Sequence, residues 1–179
     1  IERGLMKKFL TITNQGSKPI TGAGNQDGLW PLKLDCWRNL GNERYSHLGR
    51  LIVNSGQPWA QYFRDLPHEV VGQYEPIPEG RYTPGPLEFA SGWKIWSGTF
   101  PEVQSPIWCV IHRARAIGFH FDGNRATSPG SAACPVFRSL PDCHTFADWW
   151  EDDPFMMTSV WVEYVGVGGR TLPPGLVIP

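Results

Sequence analysis

The sequence predicts a mainly β fold, a β-sandwich or barrel with one or two short helices. Glycine and proline are frequent, at 20 and 17 of 179 residues, and at that density they interrupt long helices and mark turns. The apolar and alternating segments between them are short, which is typical of sandwiches and barrels. A hydrophobic fraction of 41% suits one globular core, so residues 1–179 are expected to form a single domain.

Seven segments have the length and pattern of β-strands. They cover residues 8–13, 31–37, 48–54, 93–96, 107–112, 117–121 and 158–165. In the second segment, Leu32, Leu34 and Cys36 share one face. The residues between them share the other face, which predicts a half-buried strand. The fifth and sixth segments are either two strands or one long bent strand, with arginines near the bend.

One helix is predicted around "HTFADWWEDD". Thr145 can cap its N-terminus, Asp148 follows three residues later, and Pro154 ends it. Residues 74–92 predict an irregular connection with one short strand. The prolines of this connection restrict any strand to the edge of a sheet.

Charge and hydropathy exclude several classes of partner. The net charge is −1, from 16 basic and 17 acidic residues, which argues against binding to nucleic acid or to an anionic membrane surface. No apolar run approaches the length of a bilayer-spanning helix, so membrane insertion is not expected. No signal peptide is visible, and the internal Met6 suggests that residues 1–5 are an expression or processing remnant. We expect a monomer.

The chain is rich in tryptophan and contains few cysteines. Nine tryptophans exceed what a core of this size needs, and such side chains also line grooves that bind sugars or peptides. The cysteines are Cys36, Cys109, Cys134 and Cys143. They include no Cys-x-x-Cys pair, so we expect no metal site and no cofactor. The spacing of Cys134 and Cys143 permits a disulfide.

Residues 118–137, "GFHFDGNRATSPGSAACPVF", carry the candidate chemistry. His120 lies near the end of a predicted strand, and Cys134 follows a loop of turn-forming residues. Such a loop brings its two ends together at low entropic cost, so the two side chains are expected to be neighbours. A thiol beside an imidazole forms a thiolate–imidazolium pair that is nucleophilic near neutral pH. The alternatives are a buried thiol near an incidental imidazole, half of a disulfide, or a metal site.

Residues around this pair have predicted supporting roles. Small side chains precede the cysteine, so a substrate carbonyl can approach, and the N–H groups of Ala133 and Cys134 can face a developing oxyanion. Asp122, Asn124 or a backbone carbonyl can orient the imidazole. The remaining histidines are expected to be surface or structural groups: His47, His68, His112 and His144.

The order of these residues resembles the catalytic domain of the L,D-transpeptidases, the YkuD-like family. Its signature is a histidine, a loop, and then Ser/Thr-His-Gly-Cys. His120 matches the histidine, Ser131 the Ser/Thr and Cys134 the nucleophile. A looser similarity covers residues 48–138, including "GRLIVNSGQPWAQYFR" and "EPIPEGRYTPGP".

The chain departs from the family pattern in ways that mark a divergent member. Ala132 stands where the family has histidine, and Ala133 where it has glycine. Alanine is acceptable at the second position unless the backbone there needs a positive φ. Val136 stands where the family has arginine, and Arg138 is a substitute. The loop between His120 and Ser131 is also shorter.

The resemblance implies an L,D-transpeptidase-like fold and a reaction on peptidoglycan. Cys134 attacks the carbonyl of a meso-diaminopimelate or lysine residue in a stem peptide. His120 protonates the leaving D-amino acid, and a thioester remains. An amine acceptor then gives a cross-link, whereas water gives carboxypeptidase or endopeptidase activity. Arg125 or Arg138 is expected to pair with a stem-peptide carboxylate.

The resemblance also implies a place of action. It is the periplasm, the cell exterior or the cell wall, and a phage or a secretion system can deliver the protein there.

Two other hypotheses on the function remain open. One is a non-catalytic β-sandwich that binds cell-wall glycan or peptide through Trp and Tyr side chains. The other is a secreted or virion structural protein with a Cys134–Cys143 bridge.

Overall fold

The computed structural model describes residues 7–14, 29–63, 71–165, 167–168 and 171–179. In these ranges nine strands form one mixed sheet with one α-helix, so the predicted mainly β fold is confirmed. The elements are β1 (Lys8–Asn14), β2 (Leu32–Gly41), β3 (Arg44–Asn54), β4 (Gly80–Tyr82), β5 (Glu88–Phe89), β6 (Ile107–His112), β7 (Ile117–Phe121), β8 (Val136–Phe137), α1 (Leu140–Asp148) and β9 (Met157–Glu163). Over the same ranges, no helix has the length and apolar character needed to cross a membrane.

The strand order is β4-β9-β1-β2-β3-β8-β7-β6-β5. Neighbours are antiparallel except for β1–β9 and β7–β8, which are parallel. Strands β2 and β3 form a long hairpin whose turn residues Asn42 and Glu43 have φ of 53° and 56°. Positive φ at both turn positions matches the twist of the flanking strands.

The two ends of the sheet meet. The ring centroid of Tyr82 on β4 lies 6.2 Å from that of His112 on β6. The N–H of Gly85 donates to the carbonyl of Val110 at 2.7 Å. Because β4 is one edge of the sheet and β6 lies beside the other edge, the sheet curls around a shared core. This is a β-sandwich-like arrangement.

Helix α1 covers the sheet at strands β7 and β8. Phe146 lies 4.9 Å from Phe119 and 4.7 Å from Phe137, measured between ring centroids. The Ser139 hydroxyl accepts the N–H of Asp142 at 3.3 Å and caps the helix. The predicted helix start at Thr145 was therefore wrong. The true cap is followed by Leu-Pro, and proline is well accommodated in a first helical turn.

Two predicted strands need correction. Residues 93–96 do not form a strand, because Trp93–Ile95 is a short 3-10 helix flanked by Gly92 and Trp96 in left-handed conformations. Residues 74–92 contain two short strands, β4 and β5, instead of one. Both are edge strands, as the prolines of this segment predicted.

Strand β2 is covered on both faces, which corrects the half-buried prediction. Asp35 is fully buried and binds His47 Nε2 at 2.7 Å and Arg50 Nε at 2.8 Å. On the same face, Trp37 packs with Leu176 of the C-terminal segment. That segment lies far away in sequence, so the local pattern carries no sign of this cover.

Candidate functional site

The parallel pairing of β7 and β8 brings the two candidate catalytic residues to one end of the strand pair. His120 pairs in register with Val136, and Cys134 lies two residues before Val136. Both side chains line one open cleft of about 400 Å³. The loop between them therefore returns to the same cleft, while the hydrogen bonds of Cys134 Sγ and of His120 Nδ1 go to backbone groups and not to each other.

Cys134 is buried at the wall of this cleft. Its Sγ accepts the N–H of Gly118 at 3.4 Å and donates to the carbonyl of Ala116 at 3.7 Å. Burial raises the pKa of the thiol to about 11, although the Gly118 N–H and the charge of Arg115 act in the opposite direction. The resting side chain at neutral pH is a thiol.

His120 has a defined tautomer. Its Nδ1 lies 2.7 Å from the carbonyl oxygen of Phe121, which only accepts, so Nδ1 carries the proton. Nε2 of the neutral ring then keeps its lone pair. Burial lowers the pKa of His120, and the hydrogen bond to Phe121 raises it in part. A backbone carbonyl, and not Asp122 or Asn124, orients the imidazole.

These shifts correct the expectation of a resting thiolate–imidazolium pair. Burial disfavours the charged form of both groups, which raises the thiol pKa and lowers the imidazole pKa. The resting pair is neutral.

Hydrogen bonds of Asp122 and its neighbours hold the loop at residues 122–130 in place. The Asp122 side chain is buried, and its Oδ2 accepts the N–H of Gly130 at 2.9 Å and Arg125 Nη1 at 3.3 Å. Arg125 Nη1 also donates to Asn54 Oδ1 at 3.0 Å. The carbonyl of Asn124 accepts the N–H of Ser128 at 2.8 Å. These contacts fix residues 122–130 against the end of β3.

Ser131 positions the cysteine without touching its sulfur. Its Oγ donates to the carbonyl of Cys134 at 2.5 Å and accepts the N–H of Gly56 at 3.4 Å. Its own N–H donates to the carbonyl of Gly56 at 3.1 Å. Beside it, Ser55 Oγ donates to the carbonyl of Ala133 at 2.6 Å. The segment before Cys134 is thus tied to residues 55 and 56.

Ala133 adopts the conformation that glycine favours. Its φ is 69°, in the left-handed region, which costs an alanine about 1–2 kcal/mol. The departure from glycine at this position therefore carries strain, of a kind that clusters at functional sites. The N–H groups of Ala133 and Cys134 form none of the hydrogen bonds found among the described residues. Ala133 is fully buried and is not among the residues that line the cleft, whereas Cys134 is.

The predicted substrate arginines lie elsewhere. Arg125 and Arg138 line a shallow surface depression together with Arg50, and they are not among the residues lining the Cys134 cleft. Arg138 follows β8 directly and leads into the cap of α1, away from the cleft. The cleft contains Arg115 instead, from the turn between β6 and β7, together with Glu102. The only sequence signal for Arg115 was its place in that bend.

The remaining cysteines and histidines have structural surroundings. All four cysteines are free and buried, so the Cys134–Cys143 disulfide is absent. Cys143 lies on α1, where its Sγ donates to the carbonyl of Ser139 at 3.7 Å. His112 accepts the N–H of Arg115 at 3.3 Å, and His68 lies outside the described residues. In the ranges that the structure covers, no group of His, Cys, Asp or Glu side chains is arranged to hold a metal ion.

No family model, curated protein or solved structure matches this chain. The argument for a function therefore depends on the geometry of the cleft and on the residues that line it.

Proposed function

We propose that the protein is a cysteine-dependent acyltransferase that acts on peptidoglycan stem peptides, as an L,D-transpeptidase or as an L,D-carboxypeptidase or endopeptidase. The observation that carries the proposal is that Cys134 and His120 line one open cleft at the same end of β7 and β8. The resemblance of His120, Ser131 and Cys134 to the L,D-transpeptidase signature supports the choice of substrate. The place of action that follows is the cell wall.

The first half of the reaction forms a thioester. Cys134 Sγ attacks the carbonyl carbon of a diaminopimelate or lysine residue while its proton moves to Nε2 of His120. The carbonyl oxygen becomes an oxyanion that faces the N–H groups of Ala133 and Cys134. His120 then gives its proton to the leaving amine nitrogen. The C–N bond breaks, a D-amino acid leaves, and the acyl group stays on sulfur.

The second half reverses the proton movements. An acceptor amine or a water molecule attacks the thioester carbonyl and loses a proton to Nε2 of His120. The C–S bond breaks, and the leaving sulfur takes the proton back. An amine acceptor yields a cross-link, and water yields a trimmed peptide. The open form of the cleft admits either nucleophile.

Mass analysis of products from purified sacculi and from a free tetrapeptide tests this proposal. The wild type is expected to release a D-amino acid or to form a cross-link, and the intact protein should carry an acyl adduct at Cys134. Cys134→Ala should abolish both signals, and His120→Gln should slow turnover by about a hundredfold or more. Cys109→Ala is the matched control, since Cys109 is another buried free thiol outside the cleft.

Two results would contradict the proposed enzymatic activity. One is unchanged sacculi and tetrapeptide with the folded wild type across pH 6–9. The other is full activity in folded Cys134→Ala. Persistent binding of both proteins to sacculi, without any chemical change, would favour the non-catalytic wall-binding module.

A further inference from the structure

A second pocket lies apart from the cysteine cleft, between the edge strand β5, the 3-10 helix Trp93–Ile95 and the C-terminal end of α1. Its volume is about 570 Å³, within the roughly 300–1,000 Å³ of small-ligand sites. It shares no lining residue with the cleft. We call it the aromatic pocket.

Three stacked rings line part of the aromatic pocket. Trp93 lies between Phe89 and His144, at centroid distances of 4.5 and 4.7 Å, and both contacts are stacked. Trp96 meets His144 edge-on at 4.2 Å from outside the lining. Of the three lining rings, Phe89 remains 43% exposed. Exposed aromatic surface at a concave site is a mark of ligand binding.

Charged side chains also line the aromatic pocket, and among them Lys94, Asp148 and Asp152 are exposed. The two aspartates offer hydrogen-bond acceptors to a ligand. Trp150 belongs to the wall and is almost fully buried.

We propose that the aromatic pocket binds a saccharide built of N-acetylhexosamine units. Such a ligand is neutral, packs its C–H faces on aromatic rings and gives hydroxyl protons to carboxylates. The carboxylates disfavour anionic ligands such as nucleic acids. Binding does not require Cys134, but the choice of an amino-sugar polymer rests on the proposed function, whose stem peptides are attached to such a glycan.

Titration calorimetry with N-acetylchitotetraose tests the proposal on the full chain. Saturable binding is expected, and Phe89→Ala should weaken it by about tenfold, since it removes the exposed ring of the lining. Cys134→Ala should bind like the wild type. Trp59→Ala is the matched control, because Trp59 is 64% exposed and pairs with Tyr74 outside the pocket. Circular dichroism confirms that each variant is folded.

The outcomes separate this inference from the enzymatic proposal. Absence of binding, or equal binding by folded wild type and folded Phe89→Ala, would overturn the aromatic pocket as a saccharide site. A lysine-rich peptide that binds instead, with an affinity that falls as salt rises, would also overturn it. If the protein binds the oligosaccharide but leaves sacculi unprocessed, the enzymatic proposal is wrong and saccharide binding by the aromatic pocket is supported. If it processes free tetrapeptide but does not bind the oligosaccharide, the saccharide site is wrong and the enzymatic proposal is supported.

Discussion

Burial acts on the thiol of Cys134 and on the imidazole of His120 in opposite directions. It raises the pKa of the thiol and lowers the pKa of the imidazole, so both groups are neutral at rest. A neutral pair protects the sulfur from oxidation and from alkylation in the absence of substrate, because the thiolate is the reactive species. For the proposed reaction, Nε2 must be unprotonated, so activity is expected to fall as the pH drops through the lowered pKa of His120.

The neutral resting pair predicts slow alkylation of Cys134. Its pKa of about 11 lies above the ordinary 9.0 of a cysteine, so at pH 8 the folded protein should react with iodoacetamide about a hundredfold more slowly than the unfolded chain. Peptide mapping after timed quenching measures the rate for this residue. A folded Cys134 that reacts faster than the unfolded chain would instead establish a thiolate–imidazolium pair.

The backbone at Ala133 predicts an asymmetric response to substitution. Ala133→Gly removes the left-handed strain of about 1–2 kcal/mol but loses a buried methyl worth about 0.8 kcal/mol. Its free energy of unfolding should therefore stay within about 1 kcal/mol of the wild type. Ala133→Val should lose more than about 2 kcal/mol, because a β-branched residue is strongly disfavoured at a φ of 69°. Urea unfolding checks both, and equal losses would contradict this account.

At the scale of elements, the loop at residues 122–130 holds the cysteine segment beside β7. Asp122 is its centre, since one carboxylate oxygen accepts both the Gly130 N–H and Arg125. Gly130 immediately precedes Ser131, which binds the carbonyl of Cys134. The loop therefore connects the ion pair of Asp122 and Arg125 to the position of Cys134.

This connection predicts a large effect for Asp122→Ala. Removal of the carboxylate breaks the ion pair with Arg125 and leaves the buried Gly130 N–H without this acceptor, so we expect a loss of about 2 kcal/mol in the free energy of unfolding. Hydrogen exchange at the Gly130 amide should become faster, and turnover should fall although Cys134 and His120 are intact. Thr127→Ala, an exposed residue of the same loop, is the control. Wild-type exchange at Gly130 in folded Asp122→Ala would show that the loop is held by other contacts.

Some of the strands can be predicted from the residue pattern of their own segment. The positions of β6 and β7 and the apolar parts of β2 and β3 follow from short apolar runs between turn residues, although the pattern leaves open whether β6 and β7 are two strands or one bent strand. The helix start was missed because Thr145 satisfies the same capping preference as Ser139, although Ser139 is followed by Pro141 in the first turn and by Asp142 three residues later. Strand β8 has two residues and exists through its pairing with β3 and β7, which no sequence window contains.

Some features of the candidate site can likewise be predicted from the local sequence, whereas others depend on tertiary packing. The loop composition predicts that His120 and Cys134 lie at one cleft, since turn-formers close a short loop at low cost. The neutral state of the pair, by contrast, depends on burial by the whole sheet. The entry of Arg115 into the cleft, and the absence of Arg125 and Arg138 from it, depend on how the β6–β7 turn and α1 pack.

At the scale of the whole molecule, the curled sheet encloses buried thiols and phenols from distant parts of the chain. Burial raises the pKa of every cysteine and of the two buried tyrosines, each above its ordinary value: Cys36, Cys109, Cys134, Cys143, Tyr82 and Tyr164. These groups lie on both ends and in the centre of the sheet. Their ionisation is therefore coupled to unfolding of the entire core.

This coupling predicts that the protein loses stability at alkaline pH. A thiol whose pKa is higher in the folded state than in the unfolded state stabilises the fold, and this stabilisation is complete below the unfolded pKa of 9.0. It is lost as the pH rises toward the folded pKa, which is about 11 for Cys134 and about 12 for Cys36. Each thiol should remove on the order of 1 kcal/mol at pH 10. Urea unfolding at pH 7, 9 and 10 measures the decline, and reductant should not change it, because the four cysteines are free. A free energy of unfolding that stays constant from pH 7 to pH 10 would mean that the thiols are accessible to water in the folded protein. It would contradict the statement that the curled sheet encloses them.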